Sequence, residues 1–278
     1  MKVLIVGTSG YIGHHVTTRF VENGFDVFTY SRSGEVLPYI GRSKGSTSEN
    51  EKDFDVIINC ARPHWSEFSP SEIANVESKL LTQLDRLAVT GATKIHTSGV
   101  WLFGNATYDD LKNFRHKPFE AVKLDVRTIE NALRNKWHVV YCPSFVYGGE
   151  NCQLKRLINT LPNRIMQVAV PSQGYNQYVH VEDIAKFYLC LVDNHITEQQ
   201  HFIAETQGYS PEAFSELLVN AQVLENVSKT NWDTFEANND SLALDIEKLN
   251  LTPPISLLFA PDNDVQQYIK NDIYRKII

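Results

Sequence analysis

The sequence lacks the marks of several protein classes. Its four cysteines, Cys60, Cys142, Cys152 and Cys190, form no CxxC pair. That excludes zinc ribbons and dithiol redox centres and leaves buried, reduced thiols. None of the nine histidines falls in HExxH or another ligand spacing. His14 and His15 adjoin on an expected helix, about 100° apart, and face different ways, so no metal site is expected. No stretch approaches the ~18 apolar residues of a membrane span. The opening MKVLIV run stops at a glycine turn, too short for a secretory signal; cytoplasmic residence and no membrane contact are expected. Basic residues form no stripe interleaved with aromatics, and the formal net charge is −7, so no nucleic-acid partner is expected. Internal repeats, low-complexity tracts and long linkers are also missing.

What is present is ordinary globular composition, 42% hydrophobic and 21% charged over 278 residues. That length suits one large α/β domain, alone or with a smaller annex. Val3 to Val6 reads as a buried parallel strand ended by Gly7. Residues 11–23 carry a helical apolar face at 12, 16, 20 and 21, with Gly24 after it, and 26–30 is a second strand. This is a βαβ unit. Residues 31–53 read as loop, 55–61 as a strand, 71–90 as a helix and 93–99 as a strand. A second long helix is expected over 117–135 and a strand over 137–143. Strands alternating with helices imply a doubly wound parallel sheet. Beyond Tyr147 the expectation is a helix at 152–161, a strand at 164–170, a strand leading into a helix with Glu182 and Asp183 in its first turn, a strand at 200–205, a helix capped by Ser210, and a terminal helix.

The first turn carries the clearest chemistry. VGTSGYIG places Gly7, Gly10 and Gly13 in GxxGxxG spacing between strand and helix. The first glycine permits the tight turn, the second lets backbone approach a pyrophosphate, and the third lets helix and strand pack closely. The helix N-terminus then offers N–H groups and a partial positive charge to the anion. Thr8, Ser9, Tyr11 and Ile12 complete this candidate cofactor loop; a purely structural glycine turn is the alternative. At the end of the second strand, where an acid would select NAD, stand Ser31 and Arg32. They suit a 2′-phosphate and favour NADP, with NAD also open; a solvated loop arginine is the alternative.

Taken in order, GTSGYIG, DVIINCA, HTSGVWLFG, FEAVK, YCPSFVYG, YVHVEDIA and LALDIEKLNLTPP resemble the short-chain dehydrogenase/reductase superfamily, extended epimerase/dehydratase type, over nearly the whole chain. The resemblance implies a Rossmann domain from 1–146 with 178–204, and a substrate region, a small C-terminal α/β part, from 147–177 with 205–278. It implies cofactor contacts at Cys60, Ala61, Arg62, Thr97, Lys123, Pro143, Ser144 and Phe145; for Arg62 a solvated side chain is the alternative. In relatives a Tyr acts as acid/base, a Lys four residues on along one helix face supports it, and a Ser or Thr binds the reacting oxygen. Here Lys123 stays, Phe119 takes the Tyr position and Gly99 the Ser/Thr position, with Ser98 beside it. A Phe exchanges no proton. Lys123, Ser98 and Tyr147 are therefore the candidate catalytic groups, with Tyr108 bordering. Three readings stand open: an atypical NADP-dependent oxidoreductase or epimerase, a catalytically impaired NAD(P)-sensing protein, or a metabolite binder that keeps the nucleotide as support. The substrate is a small molecule, sugar-like, sterol-like, flavonoid-like or a small aldehyde. Trp65 and Trp101 line a pocket or pack the annex. His180 and Asp183 are expected to serve local structure. The helices 71–90 and 117–135 resemble those through which relatives dimerise, with Leu80, Leu84, Leu87, Val126, Ile129 and Leu133 as contacts, or they only cover the sheet.

Overall fold

A computed structural model describes residues 1–39, 54–194 and 196–273. In chain order the elements are β1 (Lys2–Val6), α1 (Tyr11–Glu22), β2 (Asp26–Tyr30), β3 (Val36–Pro38), β4 (Phe54–Asn59), α2 (Pro70–Asp85), β5 (Ala88–Gly99), α3 (Tyr108–Lys112), α4 (Asp125–Arg134), β6 (His138–Cys142), β7 (Phe145–Tyr147), α5 (Gln153–Thr160), β8 (Ile165–Ala169), β9 (Tyr178–His180), α6 (Val181–Asp193), β10 (Gln200–Phe202), α7 (Pro211–Asn220), β11 (Asn226–Thr230), α8 (Trp232–Asn238), α9 (Ser241–Lys248) and α10 (Val265–Tyr268).

The chain forms two compact units. The first comprises Met1–Ser98, Val122–Tyr141 and Ile184–His201. Its centre is a seven-stranded sheet in the order β10-β6-β5-β4-β1-β2-β3. β1 pairs in parallel with β2 and β4, and β4 with β5. The apolar runs of β1 and β4 are buried because both faces of a central parallel strand are covered; Val3, Leu4, Ile5, Ile57 and Ile58 are all fully buried. The second unit comprises Gly99–Ala121, Cys142–Asp183 and Phe202–Ile278. It contains the parallel pairs β7/β9 and β8/β11, and a core of Tyr147, Leu154, Tyr178, Phe214, Leu218 and Ile269. Residues 99–121, expected with the dinucleotide-binding half, group with this second unit.

Several sequence expectations need correction. The 31–53 loop contains β3, antiparallel to β2. Gly34, at φ +87°, and the Ser31 hydroxyl, which accepts the Glu35 N–H at 3.0 Å, turn the chain back early; residues 40–53 of that loop lie outside the described residues. The first long helix starts as expected, with a Ser69/Glu72 capping box and Pro70 at its first position. It ends at Asp85, not near 90, because β-branched Val89 and Thr90 join β5, which bulges at Gly91 with φ +85°. The larger departure is at 117–135. Pro118 brings no N–H, and the N–H groups of Lys117 and Phe119 donate to Leu102 and Trp101 carbonyls at 2.9 and 3.1 Å. That segment therefore pairs with a neighbouring loop; a 3₁₀ turn follows at Glu120–Val122, and the helix begins only at Asp125. Phe119 and Lys123 do not share a helix face. Of the expected dimer contacts, Leu84 and Ile129 are buried within the first unit.

Candidate functional site

The glycine loop is formed as expected, and its three glycines are needed for different reasons. Gly7 has φ +85°, and a Cβ there would stand 2.9 Å from the Ala61 nitrogen. A Cβ on Gly13 would lie 2.0 Å from the Gly7 carbonyl oxygen, so α1 could not sit on the loop. Gly10 differs. Its φ −80°, ψ 166° suits any residue, and a Cβ would meet only the Gly7 oxygen, at 3.2 Å. The fold fixes two glycines firmly and the third only loosely. Gly10 is also the N-cap of α1, with no side-chain cap and no acid in the first turn, so Tyr11, Ile12 and Gly13 open a helix end suited to an anion. The exposed Ser9 borders it, and Thr8 is tied to Thr29 by a 3.0 Å hydroxyl contact.

At the end of β2, Ser31 is spent on the turn: its hydroxyl also meets that of Ser33, at 2.8 Å, and Ser33 donates to the Glu35 carboxylate at 2.9 Å. Arg32 is exposed. Beyond β4, the Ala61 N–H donates to Asn59 Oδ1 at 3.1 Å, so this amide is already engaged within the chain. Burial pushes the Cys60 thiol up to about 12, against a hydrogen bond from Thr97; it is inert. The Thr97 hydroxyl is shared with Cys60 at 3.4 Å and with Tyr188 at 2.7 Å. Arg62, a candidate phosphate ligand, instead bridges Glu77 at 3.0 Å and Asp125 at 2.6 Å. Ser98 is half-buried at the end of β5, and Lys123 is exposed in the turn before α4.

In the second unit, Phe119 is buried, at 4% exposure, with its ring against Gly104: a Cβ there would lie 2.4 Å from the ring carbons. Pro143 is buried and Phe145 half-buried, the latter stacked on Tyr178 with centroids 6.0 Å apart. Ser144 accepts the Trp101 indole N–H at 2.7 Å, which makes Trp101 part of a fixed wall. Trp65, in the first unit, stays exposed. Tyr108 is exposed at the start of α3. Tyr147 is fully buried. Burial, and then the facing Glu205, raise its phenol far above the ordinary range, so it carries no phenolate at neutral pH. Glu205 is itself buried. Desolvation lifts it to about 7, while Tyr147 and the Val265 N–H, at 3.0 Å, pull the other way. Asp183 accepts the Asp262 and Asn263 N–H groups at 3.1 and 3.2 Å, and His180 Nδ1 accepts the Glu182 N–H at 3.2 Å, so both side chains bond to local backbone; a Cβ on Gly148 would collide with His180 at 1.8 Å.

Sequence reasoning missed Glu205 and the polar group Asn59, Glu77, His96 and Asp125. One signal was legible: Glu77 lies on the same helical face as Ile73, Leu81 and Leu84, all buried. A carboxylate on an apolar stripe requires partners.

Residues 3–203 match the model of the NAD dependent epimerase/dehydratase family. The chain belongs to that family. No curated protein matches it by sequence. Among solved structures, UDP-glucose 4-epimerase from Thermotoga maritima, determined with UDP-glucose, is similar at TM-score 0.72 and 15% identity, covering 100% of this chain and 99% of that one. UDP-N-acetylglucosamine 4-epimerase from Bacillus cereus is similar at TM-score 0.68 and 14% identity, over 99% and 98%. RMD from Pseudomonas aeruginosa, complexed with NADPH, is similar at TM-score 0.64 and 14% identity, also over 99% and 98%. At such identities the likeness shows the fold: a Rossmann-like parallel sheet flanked by helices.

Proposed function

We propose that this family member binds a nicotinamide dinucleotide, NADP in preference to NAD, and acts as an atypical oxidoreductase or epimerase on a small, sugar-like substrate. Gly10 carries the reading. The fold tolerates a side chain there at small cost, so its absence is explained by a ligand that approaches the open end of α1. When bound, the nicotinamide supplies hydride transfer to and from a substrate carbon. The chain's own groups bind and orient: Tyr11, Ile12 and Gly13 amides at the pyrophosphate, Arg32 at a 2′-phosphate, and the Cys60–Ala61 turn against the loop. Proton transfer falls to a group other than position 119. Ser98 and Lys123 are the candidates, since Tyr147 is buried and neutral. Cytoplasmic residence and a homodimer through α2 and α4, with exposed Val76 and Leu124 at its face, complete the proposal; sedimentation giving a monomer at micromolar concentration would remove the dimer.

The buried Phe119 favours a second reading, an NAD(P)-sensing protein with impaired chemistry. Thermal-shift titration with NAD, NADH, NADP and NADPH, on the wild type, Arg32→Ala and Phe119→Tyr, tests both. Stabilisation by NADP or NADPH that Arg32→Ala abolishes supports the site. Turnover of a sugar-nucleotide panel separates enzyme from sensor. No shift with any of the four dinucleotides refutes both readings.

A further inference from the structure

We infer that a polar line in the first unit, Asp125, Arg62, Glu77, His96 and Asn59, buried except for the Arg62 side chain, is a positioning device for the dinucleotide loop. The inference rests on the proposed nucleotide site and adds residues to it that touch no ligand. Arg62 Nη2 donates to Asp125 Oδ2 at 2.6 Å, and Nη1 to Glu77 Oε2 at 3.0 Å. The other Glu77 oxygen faces His96 Nε2 at 3.8 Å. His96 Nδ1 lies 3.1 Å from Asn59 Nδ2, and Asn59 Oδ1 accepts the Ala61 N–H at 3.1 Å.

The line has one direction. Asn59 must turn its oxygen to the Ala61 N–H, so its nitrogen faces His96. His96 must then accept at Nδ1 and carry its proton on Nε2, toward Glu77. Burial holds the imidazole neutral, down at about 3. The Ala61 amide, Asn59 and His96 therefore fit together in one orientation only, while Glu77, 3.8 Å from Nε2, stands beyond hydrogen-bond distance at the far side of the ring. That amide is also where β4's exit meets the glycine loop, since a Gly7 Cβ would stand 2.9 Å from the same nitrogen.

Stability does not explain the line. Asn59, His96, Glu77 and Asp125 are exposed by 0, 1, 2 and 5%, and burying carboxylates is costly even when they are paired. An apolar residue at 77, continuing the stripe of Ile73 and Leu81, would cover the sheet equally well. The arrangement gains instead a single backbone geometry at Cys60–Ala61, where the loop must match a rigid pyrophosphate and ribose. His96 and Asn59 are positioning residues.

The test is dinucleotide affinity of the full chain by calorimetry at 20 °C, with NADP and NAD as probes. Wild type is compared with Asn59→Leu, His96→Leu, His96→Asn and Leu218→Ala, a core truncation in the second unit. Losing one fixed buried hydrogen bond weakens binding about tenfold in Asn59→Leu and His96→Leu. His96→Asn keeps an acceptor near the Nδ1 position and stays within about threefold of wild type. Leu218→Ala lowers the melting temperature and leaves affinity unchanged. Should His96→Leu fail to fold, His96→Gln, which leaves the Nδ1 position empty, takes its place. Folded His96 and Asn59 variants with wild-type affinity, or equal weakening by Leu218→Ala, would overturn the inference. A wild type that binds neither probe overturns the nucleotide reading and this inference with it, so the wild-type arm tells the two failures apart.

Discussion

Replacing Gly10 by alanine separates what the fold requires of the glycine loop from what a ligand requires. The new Cβ would meet one atom, the Gly7 oxygen at 3.2 Å, which has to yield by a few tenths of an ångström. The backbone at φ −80° needs no change. Adding the weaker capping tendency of alanine, the expected loss is about 0.5–1 kcal/mol. In a chain of this size that lowers the melting temperature by roughly 1–2 °C. Gly13→Ala is the contrast, because its Cβ would be 2.0 Å from the Gly7 oxygen and 2.6 Å from its carbon. To restore ordinary contact, α1 has to move away from β1 by more than an ångström, at a cost of about 3 kcal/mol or more. Binding should follow the opposite order of specificity. A methyl on Gly10 holds a phosphate off the α1 amides and removes charge-assisted hydrogen bonds of about 1.5–3 kcal/mol, a loss of roughly tenfold to a hundredfold in affinity. The assay is calorimetric titration with NADP and NAD beside thermal melting. Gly10→Ala that binds as tightly as wild type would falsify the argument, and Gly10→Ala that unfolds would show that the glycine is an internal requirement after all.

Other outcomes follow from the same geometry. Glu205 rises from an ordinary carboxylate value to about 7 in the folded chain, so the folded state holds a proton between pH 4.5 and 7 that the unfolded state has released. Its contribution favours folding at the acid end and is lost as pH rises through 7. Glu205→Gln should therefore be more stable than wild type at pH 8, by on the order of 2 kcal/mol, and equal to it near pH 4.5; lower stability at both would refute this. His96 and His201 are held down at about 3 and 4 by burial, so stability present above pH 6.5 should fall as acid reaches them, read as proton uptake on acid unfolding. Gly148→Ala combines φ +88° with a 1.8 Å collision on His180 and should cost about 3 kcal/mol or more. Gly24→Ala has φ +81° and nothing within 4 Å, so it should cost only about 1–2 kcal/mol, as chemical denaturation would show. Ser144→Ala removes the acceptor at 2.7 Å from the Trp101 indole and should lower stability by about 1 kcal/mol and perturb Trp fluorescence.

By itself the sequence determined the strand–glycine–helix opening, because a β-branched run, a fixed glycine spacing and a helical apolar period are local patterns with local causes. It determined the cap at Ser210 for the same reason, and the family through motifs in order. The tertiary structure decided what depends on distant partners. Whether 117–135 is one helix was settled by the Leu102 and Trp101 carbonyls, which take the N–H groups of Lys117 and Phe119 and so separate Phe119 from the helix that Lys123 precedes. Arg62 looked available to a phosphate until Glu77 and Asp125, 15 and 63 residues away in sequence, claimed its guanidinium. Tyr147 looked like an acid/base until burial beside Glu205 left it neutral. Local spacing sets an element's type; long-range hydrogen bonding and desolvation set where it ends, and which of its polar side chains remain free to do chemistry.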